Sequence, residues 1–152
     1  MMLDSKVILL VDDNPDDQFL TLRALHKHHP MNEVVVVSGA GEALECLHGN
    51  GRCSGQSTSL MPALILLDLN MTGLGGLDLV QRIRSDVRTR FIPVVILTSS
   101  VEDPDIIAGY TLGANAYVRK PVDFDEFSEA IRRIGEFWLM LNEIPSAIGP
   151  RL

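Results

Sequence analysis

Carboxylates, hydroxyls and one ammonium collect at the ends of short apolar runs. Asp12 and Asp13 follow Val7–Val11, and Asp68, with Asn70 two residues on, follows Leu64–Leu67. Thr98 and Ser100 follow Val94–Leu97, and Lys120-Pro121 follows Ala116–Val118. If the runs are adjacent strands, three carboxylates, a hydroxyl and an ammonium share one crevice. Clustered carboxylates repel one another, which raises their proton affinity unless a cation enters. Mg²⁺ suits such a set, because it takes one or two carboxylates together with water and phosphate oxygens. Lys120 adds a point positive charge and Thr98 a neutral donor. The crevice therefore suits a phosphoryl group, with Asp as nucleophile toward phosphorus and an aspartyl phosphate as product.

The elements that position these residues are legible from patterning. Val7–Val11, Val34–Val37, Leu64–Leu67, Val94–Leu97 and Ala116–Val118 read as strands buried on both faces. Helical patterns alternate with them. The first opens with Asn14 as cap, Pro15 at N1, and Asp16 and Asp17 as dipole-compensating residues on a solvated face. Phe19, Leu22 and Leu25 then recur at three-residue steps, and His26, His28 and His29 mark a solvated helix end. A second helix covers Gly41–Leu47, a third carries Leu77, Val80, Ile83 and Val87, and a fourth runs from Asp103-Pro104 to Gly113. The fifth opens with an Asp123/Glu126 capping box and carries Phe124, Phe127, Ile131, Ile134, Trp138 and Leu141 on one face. The order (βα)5 predicts an α/β doubly wound parallel sheet of five strands in order 2-1-3-4-5. Ligands of such sheets bind beyond the carboxyl ends of the strands.

The chain has 152 residues, 46% apolar and 22% charged, which fits one domain over 1–141 and a short tail over 142–152. A net charge of −7 argues against a nucleic-acid partner, whose affinity rests on Lys/Arg–phosphate contacts. No run reaches the roughly 18–20 apolar residues of a membrane span, and there is no signal-peptide layout, so the expected location is cytoplasmic. Cys46 and Cys53 form neither a disulfide framework nor a zinc spacing; Cys46 reads as a small buried apolar residue and Cys53 as an exposed thiol. His48–Leu60 reads as a long loop, and the glycine-rich Thr72–Gly76 as a mobile one.

Asp12-Asp13, Asp68 in Leu66-Leu67-Asp68-Leu69-Asn70-Met71, Thr98 in Leu97-Thr98-Ser99, and Lys120-Pro121 resemble the receiver domain of two-component response regulators. The resemblance covers about Lys6 to Leu141. It implies that Asp68 accepts a phosphoryl group from a histidine kinase. It implies Mg²⁺ held by Asp13, Asp68 and the Asn70 carbonyl, with Asp12 acting through water. Lys120 would contact the phosphate, Thr98 would move toward it, Tyr117 would turn inward, and Lys120–Pro121 would be a cis bond. Asn70 and Ser100 would tune the lifetime of the acyl phosphate. The Lys120–Phe127 segment with Phe137-Trp138-Leu139 further resembles the small stand-alone regulators that pair with bacterial phytochromes. Thr72 and Gly75 depart from the family, which usually has Pro and Asp or Asn there.

The expected partners are a histidine kinase, of the phytochrome type on the narrower resemblance, or a phosphotransfer protein, and a downstream protein target. The end of the last helix is apolar nearly all round, with Phe137, Trp138 and Leu141 as interface candidates. A homodimer through the fourth helix, fifth strand and fifth helix is the expectation. Hydrolysis of the aspartyl phosphate would be slow, so the chain would be a phosphoacceptor rather than a multi-turnover enzyme. The competing readings are an adaptor of the same fold that is never phosphorylated, and a flavin-binding electron carrier. Three carboxylates facing a flavin phosphate argue against the latter.

Overall fold

A computed structural model describes residues 6–49, 61–71, 73 and 75–145. The apolar runs form five strands: β1 (Val7–Val11), β2 (Glu33–Val37), β3 (Leu64–Leu67), β4 (Val94–Thr98) and β5 (Ala116–Arg119). They pair in parallel in the order β2-β1-β3-β4-β5, as expected, with Val11 level with both Val37 and Leu67. β1, β3 and β4 are buried almost throughout, whereas β5, at the sheet edge, is half-exposed. The helices are α1 (Pro15–His28), α2 (Ala40–His48), α3 (Gly76–Ser85), α4 (Asp103–Leu112) and α5 (Phe124–Gly135).

The period-2 geometry of the strands sends alternate residues to opposite faces, and each face has its own core. Ile8 and Leu10 of β1 pack with Leu64 and Leu66 against Ala24 and Leu25 of α1 and Phe127, Ile131 and Ile134 of α5. Leu9 and Val11 pack with Ile65 and Leu67 against Ala43 and Leu47 of α2 and Leu79 and Ile83 of α3. Burying each of the Leu, Ile, Val and Phe side chains is worth about 1.5–3 kcal/mol. α4 is seated through Gly109, where a Cβ would stand 2.9 Å from Ile96 Cδ1 and 3.4 Å from the Tyr117 ring.

Helix ends follow the sequence signals. Asn14 Oδ1 accepts from the N–H groups of Asp16 and Asp17, and Asp123 accepts from Glu126 N–H. Gly113 closes α4 at φ 115°. α3 stops at Ser85, so Val87, expected on its apolar face, is 67% exposed. The larger difference lies after α5. From Glu136 to Leu141 the chain continues as a π-helical segment, with Asn142 N–H donating to Phe137 C=O. The wider turn resets the 3,4 spacing. Leu139, not Trp138 or Leu141, becomes the buried residue, and Lys6 Nζ donates to its carbonyl at 2.8 Å. Phe137 and Leu141 are exposed and Trp138 is half-buried. Phe137 and Trp138 meet edge to face at 4.8 Å.

His29 does not lie at a solvated end. It is buried between α1 and α5, with Nε2 3.2 Å from Arg132 O, while His28 Nε2 meets Ser128 Oγ at 2.9 Å. The helices approach so closely that a Cβ on Gly135 would fall 2.1 Å from His29 Nε2. Cys46 is 3% exposed within the core on the α2 and α3 face of the sheet, as the sequence predicts, but it is disulfide-bonded, which the sequence reading does not predict. Cys53, the expected loop over residues 50–60, and residues 146–152 lie outside the described residues. Among the described residues no helix is long and apolar enough to cross a membrane.

Candidate functional site

The parallel ladder carries one rung past the strands and thereby fixes three chemistry-bearing residues by their backbones. Asp12 N–H donates to Val37 C=O, Asp68 N–H to Val11 C=O, and Lys120 N–H to Thr98 C=O, at 2.8–3.2 Å. The order β1-β3-β4-β5 sets their side chains side by side at the carboxyl edge, next to the point where the strand order reverses.

Lys120 is the centre of the cluster. Its ammonium lies 3.0 Å from Asp12 Oδ2, 2.9 Å from Asp17 Oδ2 and 3.6 Å from Asp68 Oδ2. Oxygens of Asp12, Asp17 and Asp68 all lie within 4.8 Å of one another. Asp17 lies in the first turn of α1 with its side chain 38% exposed, as the sequence predicts, but it also reaches across 103 residues to Lys120, a contact that sequence reasoning misses. Asp13, half-buried and next in the chain to Asp12, stands outside this trio.

Electrostatics follow from burial and charge. Burial pushes the Asp12 carboxyl above the ordinary carboxylate range, against the pull of the Asn14 N–H and Lys120. Burial also works against the Lys120 ammonium, but its bond to Asp17 and the charges of Asp12 and Asp68 outweigh that and raise its pKa. Three carboxylates facing one ammonium leave the cluster net negative, the condition in which a hard divalent cation is favoured.

Thr98 is fully buried, and its Oγ1 accepts weakly from Asn70 Nδ2 at 3.4 Å and Ser100 N–H at 3.5 Å. Asn70 N–H approaches Asp68 Oδ1 at 3.4 Å. Ser100 Oγ donates to Asp105 Oδ2 at 2.6 Å, and its carbonyl accepts from the Tyr117 hydroxyl at 2.9 Å. Burial raises the Tyr117 phenol pKa. Thr98 and Tyr117 are thus joined through Ser100, from the acidic cluster to the start of α4. Asp105 is a second participant with no sequence signal beyond its place in a helix first turn.

The expected cis bond at Pro121 is absent: there is no cis peptide among the described residues, so Lys120–Pro121 is trans, the isomer favoured by about 0.5–1 kcal/mol for X–Pro bonds. Of the glycine-rich segment after Asp68, only its last residue, which opens α3, is packed closely among the described residues. Thr72 and Leu74 lie outside the described residues, but Gly76 is buried, and a Cβ there would stand 2.8 Å from the Asp68 carbonyl oxygen.

The family model for the response regulator receiver domain matches residues 8–132. The chain belongs to that family. It is 32% identical to the response regulator Rcp1 of Synechocystis sp. over 93% of this chain and 95% of the relative. The Mn²⁺-bound form of Rcp1 superposes with a TM-score of 0.82 over 93% of this chain and 99% of that one. The phosphorylated cyanobacterial phytochrome response regulator RcpA is 36% identical, with a TM-score of 0.84 over the same shares. The bacteriophytochrome response regulator RtBRR is 46% identical, with a TM-score of 0.72, over 97% of this chain and 87% of that one. The resemblance to stand-alone phytochrome response regulators therefore holds along nearly the whole receiver chain. Asp12 and Asp68 of the acidic cluster are candidates to meet a divalent cation such as the one in the Mn²⁺-bound form of Rcp1.

Proposed function

We propose that this receiver is a single-domain response regulator that accepts a phosphoryl group from a histidine kinase on Asp68. The observation that carries the reading is the meeting of Asp68, Lys120 and Thr98 at one strand edge, inside a cluster whose carboxylates outnumber its ammonium. Asp13 and Asp68 would hold Mg²⁺ with the Asn70 carbonyl, and Asp12 would assist through water. The ion supplies charge neutralisation at the phosphoryl oxygens. Asp68 attacks phosphorus, Lys120 neutralises the incoming oxygens, and Thr98, fully buried beside it, turns its hydroxyl to one of them. Asn70 and Ser100 border the path of the hydrolytic water and set the lifetime of the acyl phosphate.

Thr98 leaves its neighbours as it turns, and the Ser100–Tyr117 link carries the change to α4, β5 and α5. This surface, with Phe137, Trp138 and Leu141, is the proposed face for a homodimer and for a downstream protein. The receiver unit runs over 1–141 and takes in the π-helical segment. The chain works in the cytoplasm, as a phosphoacceptor and not as a multi-turnover enzyme. Two of the relatives are phytochrome regulators by name, which favours a phytochrome-type kinase as donor. Mixing the chain with the phosphorylated kinase domain of a bacterial phytochrome tests the reading. Label passing from the kinase histidine to Asp68 is expected. Label remaining on the kinase, while the receiver accepts phosphate from small donors, would rule out that donor class.

A further inference from the structure

The Lys120 ammonium has three N–H bonds and three carboxylate neighbours. Its two short contacts go to Asp17 and Asp12, at 2.9 and 3.0 Å. Asp68, at 3.6 Å, is beyond hydrogen-bond range. The cation therefore hydrogen-bonds Asp12 and Asp17 but makes only a longer ion pair with the residue on which it would act. Asp17 holds it from the third helical position of α1, where its own N–H is fixed by Asn14 Oδ1 at 3.0 Å.

A phosphoryl group on Asp68 brings anionic oxygens beyond its carboxylate, and the ammonium must advance to meet them. It cannot keep both short contacts while doing so. The Asp12 side chain is 3% exposed, so losing the ammonium would leave a buried carboxylate with only the Asn14 N–H, at 3.0 Å, and no cation. The Asp17 side chain is 38% exposed, and water can replace the ammonium there. Asp17 is the contact that can be released.

We propose that Asp17 is a positioning residue that restrains Lys120 in the unphosphorylated receiver, and that release of this ion pair governs how readily Asp68 accepts a phosphoryl group. The inference rests on the reading of Asp68 as phosphoacceptor. In the transfer from an acyl phosphate, the deprotonated Asp68 oxygen attacks phosphorus and a new O–P bond forms. The bond from phosphorus to the donor oxygen breaks, and the donor carboxylate leaves with the electron pair. No proton moves. The Lys120–Asp17 pair opens, Asp17 is rehydrated, and Lys120 donates to a phosphoryl oxygen.

The test measures the phosphorylation rate by intact mass with acetyl phosphate below saturation, across a Mg²⁺ titration, for wild type, Asp17→Asn, Asp17→Glu and Asp16→Asn. Asp16 is exposed one residue earlier and carries the same charge on the same helix turn. Asp17→Asn should be phosphorylated about fivefold faster, the scale of the strongest partly exposed ion pairs. Its half-saturating Mg²⁺ should stay within about twofold of wild type. Asp17→Glu should return toward the wild-type rate, and Asp16→Asn should match it. Thermal melts of all four keep altered folding apart from altered chemistry. Equal rates for Asp17→Asn and Asp16→Asn would overturn the proposal and leave Asp17 a helix-dipole residue. A slower Asp17→Asn with a raised Mg²⁺ requirement would also overturn it, and would make Asp17 a metal ligand. A wild type that takes up no phosphate would instead bring down the acceptor reading, and this inference with it.

Discussion

Gly76→Ala changes one hydrogen for a methyl group at the tightest backbone approach to Asp68. The added Cβ would stand 2.8 Å from the Asp68 carbonyl oxygen and 3.0 Å from Leu69 Cα, both of them backbone atoms. Reaching an ordinary 3.4 Å contact requires a retreat of about 0.6 Å in a closely packed interior. Overpacking of this kind costs about 1–3 kcal/mol. Alanine recovers up to about 1 kcal/mol of helix propensity, and less in a first turn. The net loss should be about 1–2 kcal/mol, which for a chain of this size lowers Tm by about 2–8 °C. Calorimetry at neutral pH measures it. Because the displaced atom is the carbonyl of the proposed acceptor, phosphorylation by a small donor should slow in the same variant. A Tm equal to or above wild type would refute the reasoning, since the segment after Asp68 would then be free to yield.

Other outcomes follow from the same geometry. Gly135→Ala should destabilise the protein through its clash with the His29 ring, whereas in a His29→Ala background the same change should stabilise it by up to about 1 kcal/mol through helix propensity; a double-mutant cycle by urea unfolding reads the sign reversal. Tyr117→Phe should cost about 0.5–1.5 kcal/mol, because the Ser100 carbonyl loses its donor, and chemical unfolding checks it. The bond to Arg132 lowers the Glu129 pKa from 4.5 to about 2, so its stabilising contribution is present above pH 4.5 and fades as pH falls toward 2. Melts between about pH 6 and pH 3 should accordingly fall less steeply for Glu129→Gln than for wild type. Phe137→Glu with Leu141→Glu should give monomers in sedimentation if the exposed end of the last helix is a dimer face, and unchanged sedimentation would remove that face.

The fold was legible because each strand is a bounded Val/Ile/Leu run, and because Asn14, Gly113 and Asp123 mark helix ends by local chemistry. Asp12, Asp68, Thr98 and Lys120 were legible because a parallel sheet brings residues after its strands to one edge. What was hidden depends on contacts distant in sequence or on backbone detail. Asp17 satisfies a helix dipole and also an ammonium 103 residues away, and only the first is written locally. The π-helical turn after Gly135 breaks the 3,4 spacing without any change in composition, so the apolar stripe looked continuous through Leu141. His29 looked like a charged helix end because nothing near it in sequence shows that Gly135 admits its ring. The trans Lys120–Pro121 bond corrects an expectation taken from family resemblance and not from any residue preference.

The most direct test of the central claim is intact mass after incubation with a small acyl-phosphate donor, with and without Mg²⁺, on wild type and Asp68→Asn. One added phosphate, present only with Mg²⁺ and only when Asp68 is intact, is the predicted result. An unmodified, folded wild type would contradict it and leave the receiver fold acting as a binding module, and the same phosphate on Asp68→Asn would contradict it by placing the acceptor at another residue.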